Sequence, residues 1–139
     1  MVVYLIGSLR NERIPEIGTQ LRQQTGLEVF NDWHSAGPEA DDYLRDHYRA
    51  RNTSYKNGIY SYAAKHIFAF DKYHLDRSSV GILVMPAGKS AHLEMGYLVG
   101  QGKPVYILFD KEPERFEVMH NFATDIFFNI DDLIKELKH

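Results

Sequence analysis

The chain has 139 residues, 44% of them hydrophobic, a formal net charge of −3 and no cysteine. That length suits one compact domain with a single core, and the apolar share excludes a disordered chain. The lack of cysteine excludes disulfides and thiolate zinc sites, no apolar run approaches the roughly 20 residues of a membrane span, and the acidic balance argues against a general binder of nucleic-acid polymers.

Val2 to Ile6 is short, β-branched and apolar, as a buried strand should be. It has no basic segment before it, so it reads as a strand and not as a signal peptide, and a cytoplasmic protein is expected. Ile14, Ile17 and Leu21 then recur at helical spacing, with Pro15 tolerated in the first turn and Gly26 as the stop. Leu27 to Phe30 is the second strand. Asn31 to Pro38 reads as a loop. Glu39 to about His66 lacks strand alternation and is assigned one or two helices. Val80 to Met85 is the third strand, Ser90 to Gln101 a helix, and Pro104 to Phe109 the fourth strand. A short helix from about Glu114 to Phe122, an edge-like strand at Ile126 to Phe128 and a terminal helix from Asp131 to Leu137 complete the order. Strands alternating with helices predict an α/β, doubly wound, mostly parallel sheet of five strands in a flavodoxin-like or Rossmann-like three-layer sandwich, one domain over residues 1–139.

Two loops at strand ends carry the polar chemistry. In the first, Gly7 allows close backbone approach, Ser8 and Asn11 can donate hydrogen bonds, and Arg10 or Arg13 can clamp a phosphate. The alternative is a turn in which Ser8 or Asn11 caps the helix and the arginines are solvated. The second loop, Pro86 to Ser90, leads into a helix whose start can hold an anion, and places Glu94 near its first turn. Glu94 has Leu98 at i+4 and apolar neighbours, so its carboxylate has either a task or a hidden partner. Asp71 closes the run His66 to Phe70 and either works in the site or caps a turn; Asp76 is expected to pair with Arg77. His92 lacks metal-ligand spacing to any other donor and reads as a supporting or surface residue. Trp33 and the tyrosines from Tyr43 to Tyr62 offer either a stacking lid or core and dimer contacts. Asp41-Asp42 and Asp131-Asp132 suit solvated helix starts.

Taken together, Val3 to Asn11, Asp71 to Met85, Leu93-Glu94-Met95-Gly96-Tyr97 and Gly102-Lys103-Pro104-Val105 resemble the nucleoside 2-deoxyribosyltransferase superfamily, including its 2'-deoxynucleoside 5'-phosphate N-hydrolase branch. The resemblance covers most of the chain and is weakest from Asn31 to Ala64. It implies Glu94 as the nucleophile on the anomeric carbon and Asp71 as the group that positions or protonates the base. It implies Tyr4, Gly7, Ser8, Arg10 and Asn11 as substrate contacts, with Gly88, Lys89 and Ser90 available to a phosphate. Asn11 stands where the hydrolase branch has Gly, Ser79 where a second Asp is found, and Gly88-Lys89-Ser90 in place of an acidic loop. The transferases' Asn from a neighbouring subunit has no match beyond the nearest residue, Glu117. The implied partner is a small-molecule nucleoside or nucleotide, the implied assembly a homodimer, and no cofactor or metal is called for.

The Pro86 to Glu94 spacing also resembles the loop of cytokinin-activating phosphoribohydrolases, with Ala87, Ser90 and Ala91 in place of Gly, Gly and Thr. Both families cleave N-glycosidic bonds. A third reading keeps the pocket without the chemistry, as a nucleotide-binding sensor.

Overall fold

The computed structural model describes residues 1–139. Five strands form one sheet: β1 (Val2–Ile6), β2 (Glu28–Phe30), β3 (Val80–Val84), β4 (Val105–Leu108) and β5 (Asp125–Phe127). Their order is β2-β1-β3-β4-β5, and every neighbouring pair is parallel. The expected mostly parallel sheet is therefore wholly parallel. The helices are α1 (Ile14–Thr25), α2 (Ala40–Ala50), α3 (Tyr55–Ile59), α4 (Tyr62–Arg77), α5 (Lys89–Gly100) and α6 (Ile130–Leu137).

Alternation along the strands splits the core in two. Val3 and Leu5 face α1 and α6, packing with Ile14, Ile17, Leu21, Leu133 and Ile134. Tyr4 and Ile6 face the other way, toward Leu75 of α4 and Ala91, Met95 and Leu98 of α5. This is the three-layer sandwich the sequence predicts. Gly81 allows α5 to sit close on β3, because a Cβ there would come within 2.6 Å of Leu98 Cδ1. Gly26 caps α1 in the left-handed region, at φ 72°, and its N–H donates to the Arg22 carbonyl. No helix is long and apolar enough to cross a membrane.

The middle of the chain corrects the sequence reading. Asn31 to Pro38 holds a 3-10 turn, Asp32–Ala36, where a loop was expected. Three helices, not one or two, follow, and the last runs on to Arg77. The helix expected from about Glu114 shrinks to a 3-10 turn at Val118–Phe122, because Glu114 to Glu117 make no helical turn.

β1 and β3 are neighbours, yet the helices that follow them, α1 and α5, cover opposite faces. The chain thus opens a crevice between the carboxyl ends of β1 and β3, the usual ligand position in such a sheet.

Candidate active site

The β1–α1 loop and the β3–α5 loop meet at that point. Ser8, Arg10 and Asn11 line one side of a crevice of about 220 Å³, and Pro86, Ala87 and Gly88 the other. Gly7 sits just behind, where an added Cβ would strike Ile14 Cδ1 at 2.7 Å. Lys89 and Ser90 are the first residues of α5 and stand exposed beside the crevice without lining it.

Neither Ser8 nor Asn11 caps α1, whose N-cap is Arg13 without a side-chain partner; both brace the loop instead. The Ser8 hydroxyl accepts from the Arg10 N–H at 3.1 Å, and the Asn11 side-chain oxygen accepts from the Arg13 N–H at 3.0 Å. The amide Nδ2 of Asn11 is buried with no partner. A buried donor facing nothing costs free energy until a ligand acceptor arrives. Gly88, the N-cap of α5, has no side chain with which to cap, so the first N–H groups of that helix lack a side-chain partner. Arg10 lies 3.6 Å from Asp42 of α2, so Asp42 is an ion-pair partner and not merely a solvated helix start.

Two residues hold β1 and the loop after it: Trp33, and His34, which sequence reasoning passed over. The Trp33 indole N–H donates to the Leu5 carbonyl at 2.8 Å, and His34 Nε2 lies 2.9 Å from the Asn11 carbonyl. Trp33 is half-buried against both halves of the core and is a buttress, not a free lid.

Two carboxyls and a phenol cluster on the sheet face under α4 and α5, and none of the three lines that crevice. Tyr4 comes from β1, Asp71 from α4 and Glu94 from α5, because the Tyr4 face of the sheet is the one these two helices cover. Glu94 is in the second turn of α5, not the first, since the helix already begins at Lys89. Its carboxylate is half-buried, and one oxygen, Oε2, is sealed from solvent with no partner. Burial pushes its pKa up to about 7, the nearby Tyr4 hydroxyl pulls the other way by hydrogen bonding, and the Asp71 charge adds to the rise. Burial also raises Asp71 above the usual carboxylate range. Tyr4 is pushed up by burial and by both carboxylates, and so keeps its proton.

Asp71 caps no turn: it sits inside α4. Asp76 pairs not with Arg77 but with Lys72, at 2.8 Å, and accepts from Tyr97 and Gln101 of α5. Arg77 instead reaches Glu28 at 3.0 Å. The Asp76–Tyr97 contact ties α4 to α5 and so sets the two helices that carry Asp71 and Glu94. Glu117 caps its own 3-10 turn, accepting from the Met119 N–H at 3.1 Å. No group of three or more His, Asp or Glu side chains is placed to hold a metal ion.

A partly desolvated carboxylate with an open valence, beside a second raised carboxyl and a neutral phenol, can act as nucleophile and acid within one small space. Two solved structures share the fold over nearly the whole chain. One is a 2-deoxyribosyltransferase of the psychrotolerant bacterium Bacillus psychrosaccharolyticus, 17% identical, with a TM-score of 0.66 over 96% of this chain and 90% of that one. The other is the CMP N-glycosidase of Clostridium botulinum, 13% identical, with a TM-score of 0.55 over 100% of both chains. At these identities the likeness establishes the fold. No family model matches the sequence, and no curated protein matches it.

Proposed function

We propose that this chain is a nucleoside 2-deoxyribosyltransferase-like enzyme of one domain, residues 1–139, that breaks the N-glycosidic bond of a nucleoside or nucleoside 5'-monophosphate. The observation that carries this reading is the Tyr4–Asp71–Glu94 cluster, where α4 and α5 cover the middle of β1. The names of the two enzymes that share the fold agree with the reaction class.

The base leaves through an oxocarbenium-like state, and an ionised Glu94 oxygen closes on the anomeric carbon to form a glycosyl ester. Asp71 gives its proton to the departing base nitrogen. Tyr4 donates to Glu94 and holds the carboxylate in place. Water, deprotonated by Asp71, then attacks the same carbon and frees Glu94, giving the sugar and regenerating the acid; a second base attacking instead gives transfer. Released base, followed by chromatography over a panel of nucleosides and their 5'-monophosphates, tests the reading. Binding of the panel without release of any base would favour the sensor.

The crevice supports the 5'-phosphate form of the substrate. Ser8, Arg10, the unpaired Asn11 amide and the uncapped start of α5 converge on it as donors. The distance suits a sugar phosphate: Gly88 and Glu94 are separated by about 9 Å along one helix. Arg10→Ala should raise KM for a 5'-monophosphate by about tenfold to a hundredfold, the worth of one charge-assisted contact, and leave the free nucleoside nearly untouched. Equal effects on the two substrates would remove the phosphate from this crevice.

A homodimer fits the outer face of α4, where Ile67, Phe68, Phe70 and Tyr73 are all exposed, with Leu93 of α5 exposed as well. Such a run of apolar surface is more than scattered residues need. Sedimentation equilibrium should give twice the chain mass, and Phe68→Glu should give monomers. A wild-type monomer at micromolar concentration would discard the dimer.

A further inference from the structure

Two histidines 28 residues apart meet beside the crevice. His92 lies in the first turn of α5, and His120 in the 3-10 turn Val118–Phe122 of an otherwise exposed strap. Their Nε2 atoms are 3.0 Å apart, their ring centroids 5.2 Å, and their planes within 8°. The centroid separation exceeds the nitrogen gap by about two imidazole radii, the most that it can. The centroids and nitrogens must therefore lie on one line. This is an in-plane N–H···N hydrogen bond, not a stacked pair.

The partners fix the protons. His92 Nδ1 lies 2.8 Å from the Gly88 carbonyl, which can only accept, so Nδ1 carries a hydrogen. Neutral His92 then offers a lone pair at Nε2, and His120 donates from its own Nε2. A metal would need the two lone pairs to converge at an angle on a third point; here they face one another.

The end of this relay is Gly88, which lines the crevice and has no side-chain neighbour within 4 Å of its Cβ direction. The Gly88 carbonyl accepts from the His92 ring at 2.8 Å and from the His92 N–H at 3.3 Å. We propose that His120 is a positioning residue: through His92 it fixes the Gly88 carbonyl, and so aims the uncapped start of α5 at the anionic end of the substrate. The kinetic part of this inference rests on the function proposed above; the hydrogen-bond relay does not.

The relay has a definite response to acid. One added proton converts the pair to imidazolium and imidazole, and the bond persists in charge-assisted form. A second proton sets two N–H groups head to head and opens it. His120 is faced by His92 from α5, by Glu117 of its own strap and by the uncharged edge of Phe109 after β4. Burial, then His92, keep its pKa below the ordinary histidine value, so the second proton arrives only in acid.

Nitrogen-15 labelling of histidine tests the bond directly. A scalar coupling between the two Nε2 nuclei should be present at neutral pH and vanish on acidification; its absence at neutral pH overturns the relay. Exchange of the His92 amide, which donates to the Gly88 carbonyl at 3.3 Å, should quicken about tenfold in His120→Phe, as expected for one hydrogen bond lost. His120→Gln, whose amide can donate to His92, should restore slow exchange. On a turned-over 5'-monophosphate, His120→Phe should raise KM severalfold with kcat kept, and the free nucleoside should not respond. Unchanged exchange, or an equal loss on both substrates, overturns the positioning role. A wild type that releases no base from any substrate, with coupling and exchange as described, would fail the function above and leave the relay standing.

Discussion

Glu94→Gln should abolish base release, by a factor on the order of 10⁴ or more, as removal of a nucleophile does elsewhere. It should at the same time make the protein more stable at pH 8. The two effects have one cause. The folded chain holds the Glu94 carboxyl where its pKa is about 7, against an ordinary value of 4.5. Between those values the native state keeps a proton that the unfolded state has lost. Stability therefore falls as pH rises through that window, and the penalty is full above it. Gln has the shape of the acid, can accept from Tyr4 and cannot ionise. The gain at pH 8 should be about 1 to 3 kcal/mol, allowing for the partly open side of the carboxylate, and should vanish near pH 4. Urea unfolding at the two pH values measures it. This trade of stability for activity is what a working buried acid requires. A Gln variant that still released base at the wild-type rate would exclude Glu94 as nucleophile. A variant with no stability gain would mean that residue 94 pays no desolvation cost, and the raised acid would lose its basis.

What could be seen in advance follows from where apolar residues lie. The strands β1, β3 and β4 are buried on both faces, so they appear as unbroken runs such as Val80 to Val84. α1 and α6 have a wet side and a dry side, so their apolar residues recur at helical spacing. α4 breaks that rule. Ile67, Phe68 and Phe70 are exposed, and Leu75 is its only buried residue. The pattern there cannot mark the buried side, and the sequence reading leaves His66 to Phe70 without an element. Placing Asp71 on a helix was out of reach for the same reason, and with it the pairing of Asp76 with Lys72 one turn back. The crevice was legible, because it depends only on strand order and loop chemistry: Ser8 and Asn11 do face Pro86 and Gly88. Tyr4 became visible through resemblance alone, since a tyrosine inside a buried strand looks like core. His120 left no trace, because a bond between rings 28 residues apart has no local pattern.

Asp71→Asn should produce the second large effect, a fall in kcat of about 10² to 10⁴ on natural nucleosides, the range for removal of a general acid. An activated substrate whose leaving group needs no proton, such as a 4-nitrophenyl riboside, should lose far less in its first step. The pH profile separates this from a loss of packing. In the wild type Asp71 and Glu94 act as a coupled pair, both raised by burial, with the Asp71 charge lifting Glu94 further. Glu94, the more strongly raised of the two, holds the pair's single proton more often; the productive form is the other tautomer, with the proton on Asp71 and Glu94 bare. With two protons there is no nucleophile; with none there is no acid. Activity on nucleosides should therefore be bell-shaped, with both limbs belonging to the pair and the alkaline one near pH 7. In Asp71→Asn only Glu94 remains to titrate, and without the facing charge its pKa drops. The residual activity should then rise with pH to a plateau, along a single limb displaced to the acid side, with no alkaline fall. A bell that survives the substitution unchanged would assign both limbs to other groups and leave Asp71 without a part in proton transfer.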